Sequence, residues 1–322
     1  MLEAIENEDG WVTNRVTPGK VILGRLGDIE AGVRQMIRST PLEVAEVELP
    51  SGSVLRAPTP DETLRVKGFL VVRRNQTRDF LDVVALADRY GVEHSGRVLA
   101  AIDAFYADQR GTGDGIATQL ARQLADPRPK DASTTRELTH YKGLAAPWQR
   151  WATVVEACRA LAQATVNSSR QFGRAMTSVP LRNVDLDPTT PVAAWPFEVV
   201  QTLIERGGLS DWRLIIKEIQ RAPWGATSQR VQEALSISRP YGTAELFEKA
   251  IADARHTATA AEKAEVAGEV GELVARSRLS KAQFASRIGT SAPRLSTYLS
   301  GQVMPSAALM VRMRRVADSA SR

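Results

Sequence analysis

The hydrophobic period of this chain changes once, near Pro58 to Pro60, and that change restricts the fold more than any other feature of the sequence. Before it stand short runs rich in valine and leucine: KVILG (20–24), EVAEVELP (43–50) and SVLRA (53–57). These read as strands, with PSG between the last two suited to a tight hairpin turn. GDIEAGVRQMIRS (27–39) reads as a helix between them. After the change, TPDETLRVKGFLVVRRN (59–75) opens with proline and acids and continues at helical spacing. Helical spacing then recurs over 78–90, 96–109, 113–125, 147–173, 196–206, 210–221, 225–236, 243–255 and 260–277. The expected class is therefore mainly α with a small N-terminal α+β part.

Two stretches interrupt the helical pattern. ADPRPKDASTTRE (125–137) carries prolines and small polar residues, and TSVPLRNVDLDPTTPVAAWP (177–196) carries four prolines without periodicity. A structureless run of the second kind marks a domain boundary. The expected units are 1–172, 173–257 and 258–322, in keeping with 322 residues. Trp195, Trp212, Trp224 and Tyr241 read as core of the middle unit.

Several classes are excluded by what the chain lacks. It has no run of eighteen apolar residues, so no membrane span is expected. Its start, MLEAIENEDG, is acidic and lacks the basic and apolar regions of a signal peptide. A single cysteine, Cys158, excludes an internal disulfide framework and agrees with a reducing, cytoplasmic setting. His94, His140 and His256 are scattered, so no metal site is expected.

Charge is unevenly placed. The net charge is +5, yet residues 276–322 hold nine Lys/Arg against the single acid Asp318. A basic end on a near-neutral body suggests a polyanionic partner for that end.

Within it lies LSKAQFASRIGTSAPRLSTYLSGQVMPS (279–306). Ser280 can cap a helix with Gln283 in the capping-box position, and Gly289 can end it. Ser291 can cap a second helix with Pro293 in its first turn. Phe284, Ala285, Ile288, Leu295 and Leu299 then face inward. Hydrogen-bonding side chains crowd the outside of the second helix, a pattern that suits the major groove of a DNA duplex. The expected contact set is Lys281, Arg287, Ser291, Ala292, Pro293, Arg294, Ser296, Thr297, Tyr298 and Gln302, with Arg294 reading bases and Lys281 holding the backbone.

This segment resembles the lambda-repressor-like (Cro/cI, XRE) helix-turn-helix family, with the family's alanine on Ala285 and its glycines on Gly289 and Gly301. The resemblance implies a DNA-binding bundle that acts as a homodimer on double-stranded DNA. One departure is Lys281, where the family often has glutamine.

A second constellation lies at 59–91, where Lys67, Arg73, Arg74, Arg78, Asp79 and Asp82 gather. By themselves these residues suit an ion-pair network joining two helices, or a nucleotide and Mg²⁺ site. PDETLRVK and RNQTRDFLDVVAL resemble motifs of the AbiEii nucleotidyltransferase toxins, which places the nucleotide-facing lysine at Lys67 and an acid at Asp79. The Gly-Ser turn and paired metal acids of such enzymes do not precede Lys67. The region is thus expected to be a truncated transferase without catalysis, needing no cofactor, with Mg²⁺ and a nucleoside triphosphate required only if it were active.

Together these resemblances imply a DNA-binding regulator of toxin–antitoxin type, with a cognate toxin as partner and no membrane association. The alternative is a nucleotidyltransferase toxin restrained by its fused antitoxin.

Overall fold

A computed structural model describes residues 5, 7–34, 38–109, 113–141, 143–169 and 190–319. The chain is mainly helical with a small N-terminal β part, as the change of period predicts. Residues 177–189 of the linker expected over 177–196, and the end of the helix expected over 147–173, lie outside the described residues.

The β part comprises β1 (Trp11–Thr17), β2 (Val21–Leu26), β3 (Ile29–Arg34), β4 (Val44–Glu48) and β5 (Val54–Pro58). The first three form an antiparallel sheet in sequence order, and β4 pairs with β5 as a separate hairpin. The helix expected over 27–39 is a correction: Ile29–Arg34 is the third strand, with Ile29 opposite Leu26 and Val33 opposite Ile22. Ile29, Ala31 and Val33 alternate with Glu30 and Arg34, which is the period of a strand. The three apolar side chains share a sheet face with Trp11, Ile22 and Leu26, and Ile29 remains 71% exposed.

Arg38 joins this part to the helices. Its guanidinium meets Glu62 at 2.6 Å, with both side chains fully buried, and it also donates to the carbonyls of Thr40 and Pro41. It lies over the ring of Tyr106, 4.9 Å from the centroid. Burial raises the pKa of the Tyr106 phenol, so that side chain stays neutral beside the pair.

Among the described residues, the first half of the bundle is formed by α1 (Pro60–Arg74), α2 (Thr77–Tyr90), α3 (Val92–Ala100), α4 (Ile102–Phe105), α5 (Ile116–Ala125) and α6 (Trp151–Ser168). α3 and α6 approach closely at Gly96. A Cβ there would lie 2.6 Å from the backbone carbon of Ala164, so only glycine lets the two helices meet. The single span expected over 96–109 breaks instead at Ala101 and Tyr106 into short pieces.

Then follow α7 (Phe197–Arg206), α8 (Leu209–Arg221), α9 (Ala226–Ile237) and α10 (Thr243–Arg276). The two helices expected at 243–255 and 260–277 are one, 34 residues long. The intervening HTATAA contains neither glycine nor proline, and alanine is the strongest helix former, so nothing ends the helix there. Three more helices close the chain: α11 (Lys281–Ile288), α12 (Ala292–Leu299) and α13 (Ala307–Ser319).

Among the described residues, the buried hydrophobic side chains fall into two clusters. The first runs from Leu64 to Ala254 and includes Phe80, Leu120, Leu161, Trp212 and Phe247. Contacts bind α7–α10 to the earlier helices within it. Tyr241 Oη donates to the Asp126 carbonyl at 2.8 Å, and the Arg122 guanidinium lies 5.1 Å over the Trp212 ring. Of the four aromatic residues read as core, Trp195 and Trp212 are buried, whereas Trp224 is 49% and Tyr241 39% exposed. The second cluster comprises Val270, Leu273, Phe284, Ala285, Ile288, Leu295, Tyr298, Leu309, Met310, Met313 and Ala317.

Phe284→Ala is expected to cost about 3–5 kcal/mol. Hydrogen exchange should place that loss on amides of α11–α13 and leave those of α3 and α6 protected. Cys158 is fully buried and its thiol is held well above the ordinary cysteine range by desolvation. It should resist a thiol-specific reagent at mildly alkaline pH in the folded chain and react at once in denaturant.

Candidate functional site

The C-terminal bundle is built as its caps dictate. Ser280 Oγ accepts from the Gln283 N–H at 3.3 Å, and Gln283 Oε1 accepts in return from the Ser280 N–H at 3.0 Å. Gly289 ends α11 at φ +76°, a left-handed conformation that glycine adopts without strain. Ser291 Oγ accepts from the Arg294 N–H at 3.3 Å and starts α12, with Pro293 in its first turn. The Arg312 guanidinium donates to the Ile288 carbonyl at 3.0 Å, satisfying an end group of α11.

The structure brings the ten residues of the expected contact set to α11, α12 and the turn after them, but not in one condition. Lys281, Arg287, Ser291, Pro293, Arg294, Ser296 and Gln302 are exposed, and Ala292 and Thr297 are half-buried. Tyr298 is 6% exposed and belongs to the core cluster. Its hydroxyl accepts from Arg294 Nε at 3.0 Å, with the guanidinium 5.9 Å from its ring. Arg294 is thus folded back along its own helix rather than extended. Ser296, Thr297 and Ser300 hydroxyls each donate to a carbonyl of the preceding turn. Much of the hydrogen-bonding capacity that crowds this helix is spent locally.

The second constellation resolves into separate pairs. Lys67 Nζ meets Asp82 at 2.7 Å, with a third or more of each side chain exposed. Asp79 is fully buried, paired with Arg74, and accepts from the Gln76 N–H at 3.2 Å at the start of α2. It therefore serves the α1–α2 junction and its helix terminus. Lys67 and Asp79 do not converge on a shared ligand. Among the described residues no group of three His, Cys, Asp or Glu is placed to hold a metal ion.

One cleft lies elsewhere, about 380 Å³, between α9 and α10. Leu235 and Ile251 form its floor, and Arg239 and Arg255 stand at its rim. Arg239 holds Glu248 through both guanidinium nitrogens at 2.6 and 3.1 Å, and this contact keeps the Glu248 pKa below the usual carboxylate range. Spacing alone misses this cleft because its residues read as ordinary helical surface. The repeat Gln232, Leu235, Ser236 on one helix, continued by Arg239 just past its end, and Glu248, Ile251, Ala252, Arg255 on the next is the signal that could have found it.

Comparison with known proteins finds likeness of another kind. The chain is 41% identical over 99 residues to the mycolic acid-containing lipids exporter MmpL11 of Mycolicibacterium smegmatis, covering 31% of this chain and 10% of that protein. It is 36% identical over 133 residues to the probable transport protein MmpL11 of Mycobacterium bovis and to the heme uptake protein MmpL11 of Mycobacterium tuberculosis, covering 41% of this chain and 13% of each. The chain thus spans about a tenth of the length of the curated relatives it matches. No family model and no solved structure matches it.

These relatives correct the functional reading of the sequence. They are transport proteins, so the assignment to lambda-repressor-like and AbiEii families gives way, and with it the DNA-binding regulator of toxin–antitoxin type and its nucleotidyltransferase alternative. The partners expected with that reading, double-stranded DNA, a homodimeric mate and a cognate toxin without a membrane, give way as well. The physical reason is that caps, a turn glycine and inward leucines specify how two helices meet and not what lies beside them. Among the described residues no helix is long and apolar enough to cross a membrane.

Asp79→Ala should destabilise the fold by about 3–5 kcal/mol because it strands the Arg74 charge. Lys67→Met should change stability by less than about 1 kcal/mol, as for an exposed pair. Urea unfolding of the two variants checks the contrast.

Proposed function

We propose that the chain works as a helical module outside the lipid in a transport system of the MmpL11 type, on the cytoplasmic side. Its task there is in the movement of mycolic acid-containing lipids or heme, the cargoes for which its relatives are named. The observation that carries this reading is the 35–41% identity over 99–133 residues. A shared stretch of that length is domain-sized, which favours common descent over a coincidence of local helix signals. The absence of a spanning helix among the described residues supports a water-side body rather than a share in the transport path.

A segment exchange tests the proposal. The stretch of the M. smegmatis exporter that aligns with this chain is replaced by the corresponding residues of this chain, and surface mycolic-acid lipids are measured in cells lacking the native exporter. Export should be restored, whereas a shuffled helical segment of equal length should fail. A chimera that reaches the membrane in normal amount yet exports no more than the deletion overturns the reading.

A further inference from the structure

We propose that the exposed face of α13, with the Val303–Met304 turn that precedes it, is a docking surface for an anionic lipid bilayer. The inference builds on the transport reading only in expecting a bilayer near the chain.

The first support is charge. Between Arg276 and Arg322 nine Lys/Arg face a single acid, while the whole chain carries only +5. Four of the arginines are engaged: Arg276 with Asp318 at 3.0 Å, Arg314 with Glu269 at 2.8 Å, Arg312 with the Ile288 carbonyl, and Arg294 with the Tyr298 hydroxyl. Arg278, Lys281, Arg287 and Arg315 show no side-chain hydrogen bond or ion pair among the described residues. Unpaired cations concentrated on one small bundle are drawn to a negatively charged surface.

The second support separates a bilayer from other polyanions. α13 turns Leu309, Met310, Met313 and Ala317 into the core. Its outer face carries Ala307, Ala308, Val311 and Arg315, with Arg314 and Arg312 to either side. Val311 and Arg315 are one turn apart and share that face. At the N-terminal end of the helix, Val303 and Met304 point into water at 38% and 45% exposure, and Val311 is 42% exposed. The turn is held in place: the Val303 N–H donates to the Thr297 carbonyl at 3.2 Å, and Pro305 is buried. Aliphatic side chains fixed outward among arginines offer nothing to a phosphodiester backbone. They suit the boundary between headgroups and acyl chains, where arginine stems lie along apolar surface and their charged ends reach phosphate.

The full chain is to be sedimented with vesicles of phosphatidylglycerol mixed into phosphatidylcholine, and with phosphatidylcholine alone. Binding to the anionic vesicles only, weakening as salt rises, is expected. Arg315→Glu should lower the partition constant roughly tenfold or more, Met304→Ser a few-fold, and Arg315→Lys should retain it. Both sites are exposed, and circular dichroism should show unchanged helix content for all three variants. Equal binding to both vesicle types, or no change with Arg315→Glu, overturns the proposal. So does a chain that ignores vesicles but retains duplex DNA at the same salt. Vesicle binding can fail while the segment exchange succeeds, and the reverse, so the two readings fall separately.

Discussion

The two hydrophobic clusters depend on one helix. α10 places Leu246, Phe247, Ala250 and Ile251 in the first cluster and Val270 and Leu273 in the second. Its N-terminal half is covered by α5, α6 and α8, and its C-terminal half by α12 and α13. A helix of 34 residues is far beyond the length at which propagation outweighs the cost of nucleation. It is therefore the common wall against which two otherwise separate bundles close.

Most of the local structure was legible from the residues themselves. Ser280, Gln283, Gly289, Ser291 and Pro293 take the cap and turn positions that their side chains and backbone preferences require. The change to helical spacing near residue 60 falls at the true start of α1 at Pro60, capped by Thr59. Errors arose where one signal stood against another. Ile29–Arg34 lies beside good helix formers, yet its side chains alternate, and pairing with β2 decided the outcome. The alanine-rich centre of α10 was divided because its face carries few apolar residues, although nothing in it can stop a helix.

The site was less legible than the fold. Lys67 and Asp79 sit one helix apart and read as partners, but Asp79 is committed to Arg74 and the α2 terminus, and Lys67 to Asp82. Arg294 was placed correctly at the start of α12, yet its direction depends on Tyr298, whose ring is drawn into the core. Side-chain direction depends on what lies four residues away and across the bundle, and the list of residue types carries little of that. The cleft between α9 and α10 shows the converse. Its residues are unremarkable singly and become a feature only when two helices lie side by side.

The stretch of α10 from Arg255 to Glu269 has no fully buried side chain, so its composition is loosely constrained while its length is not. At 1.5 Å and about 100° per residue, it acts as a shaft of roughly 22 Å with a fixed phase. One residue inserted between Arg255 and Ala260 would leave both cores intact and swing the C-terminal bundle by more than a quarter turn, carrying Val311 and Arg315 away from their present bearing. Four inserted residues would nearly restore that bearing at a greater separation. The number of residues in this exposed segment thus sets the compass direction in which the basic end of the molecule points.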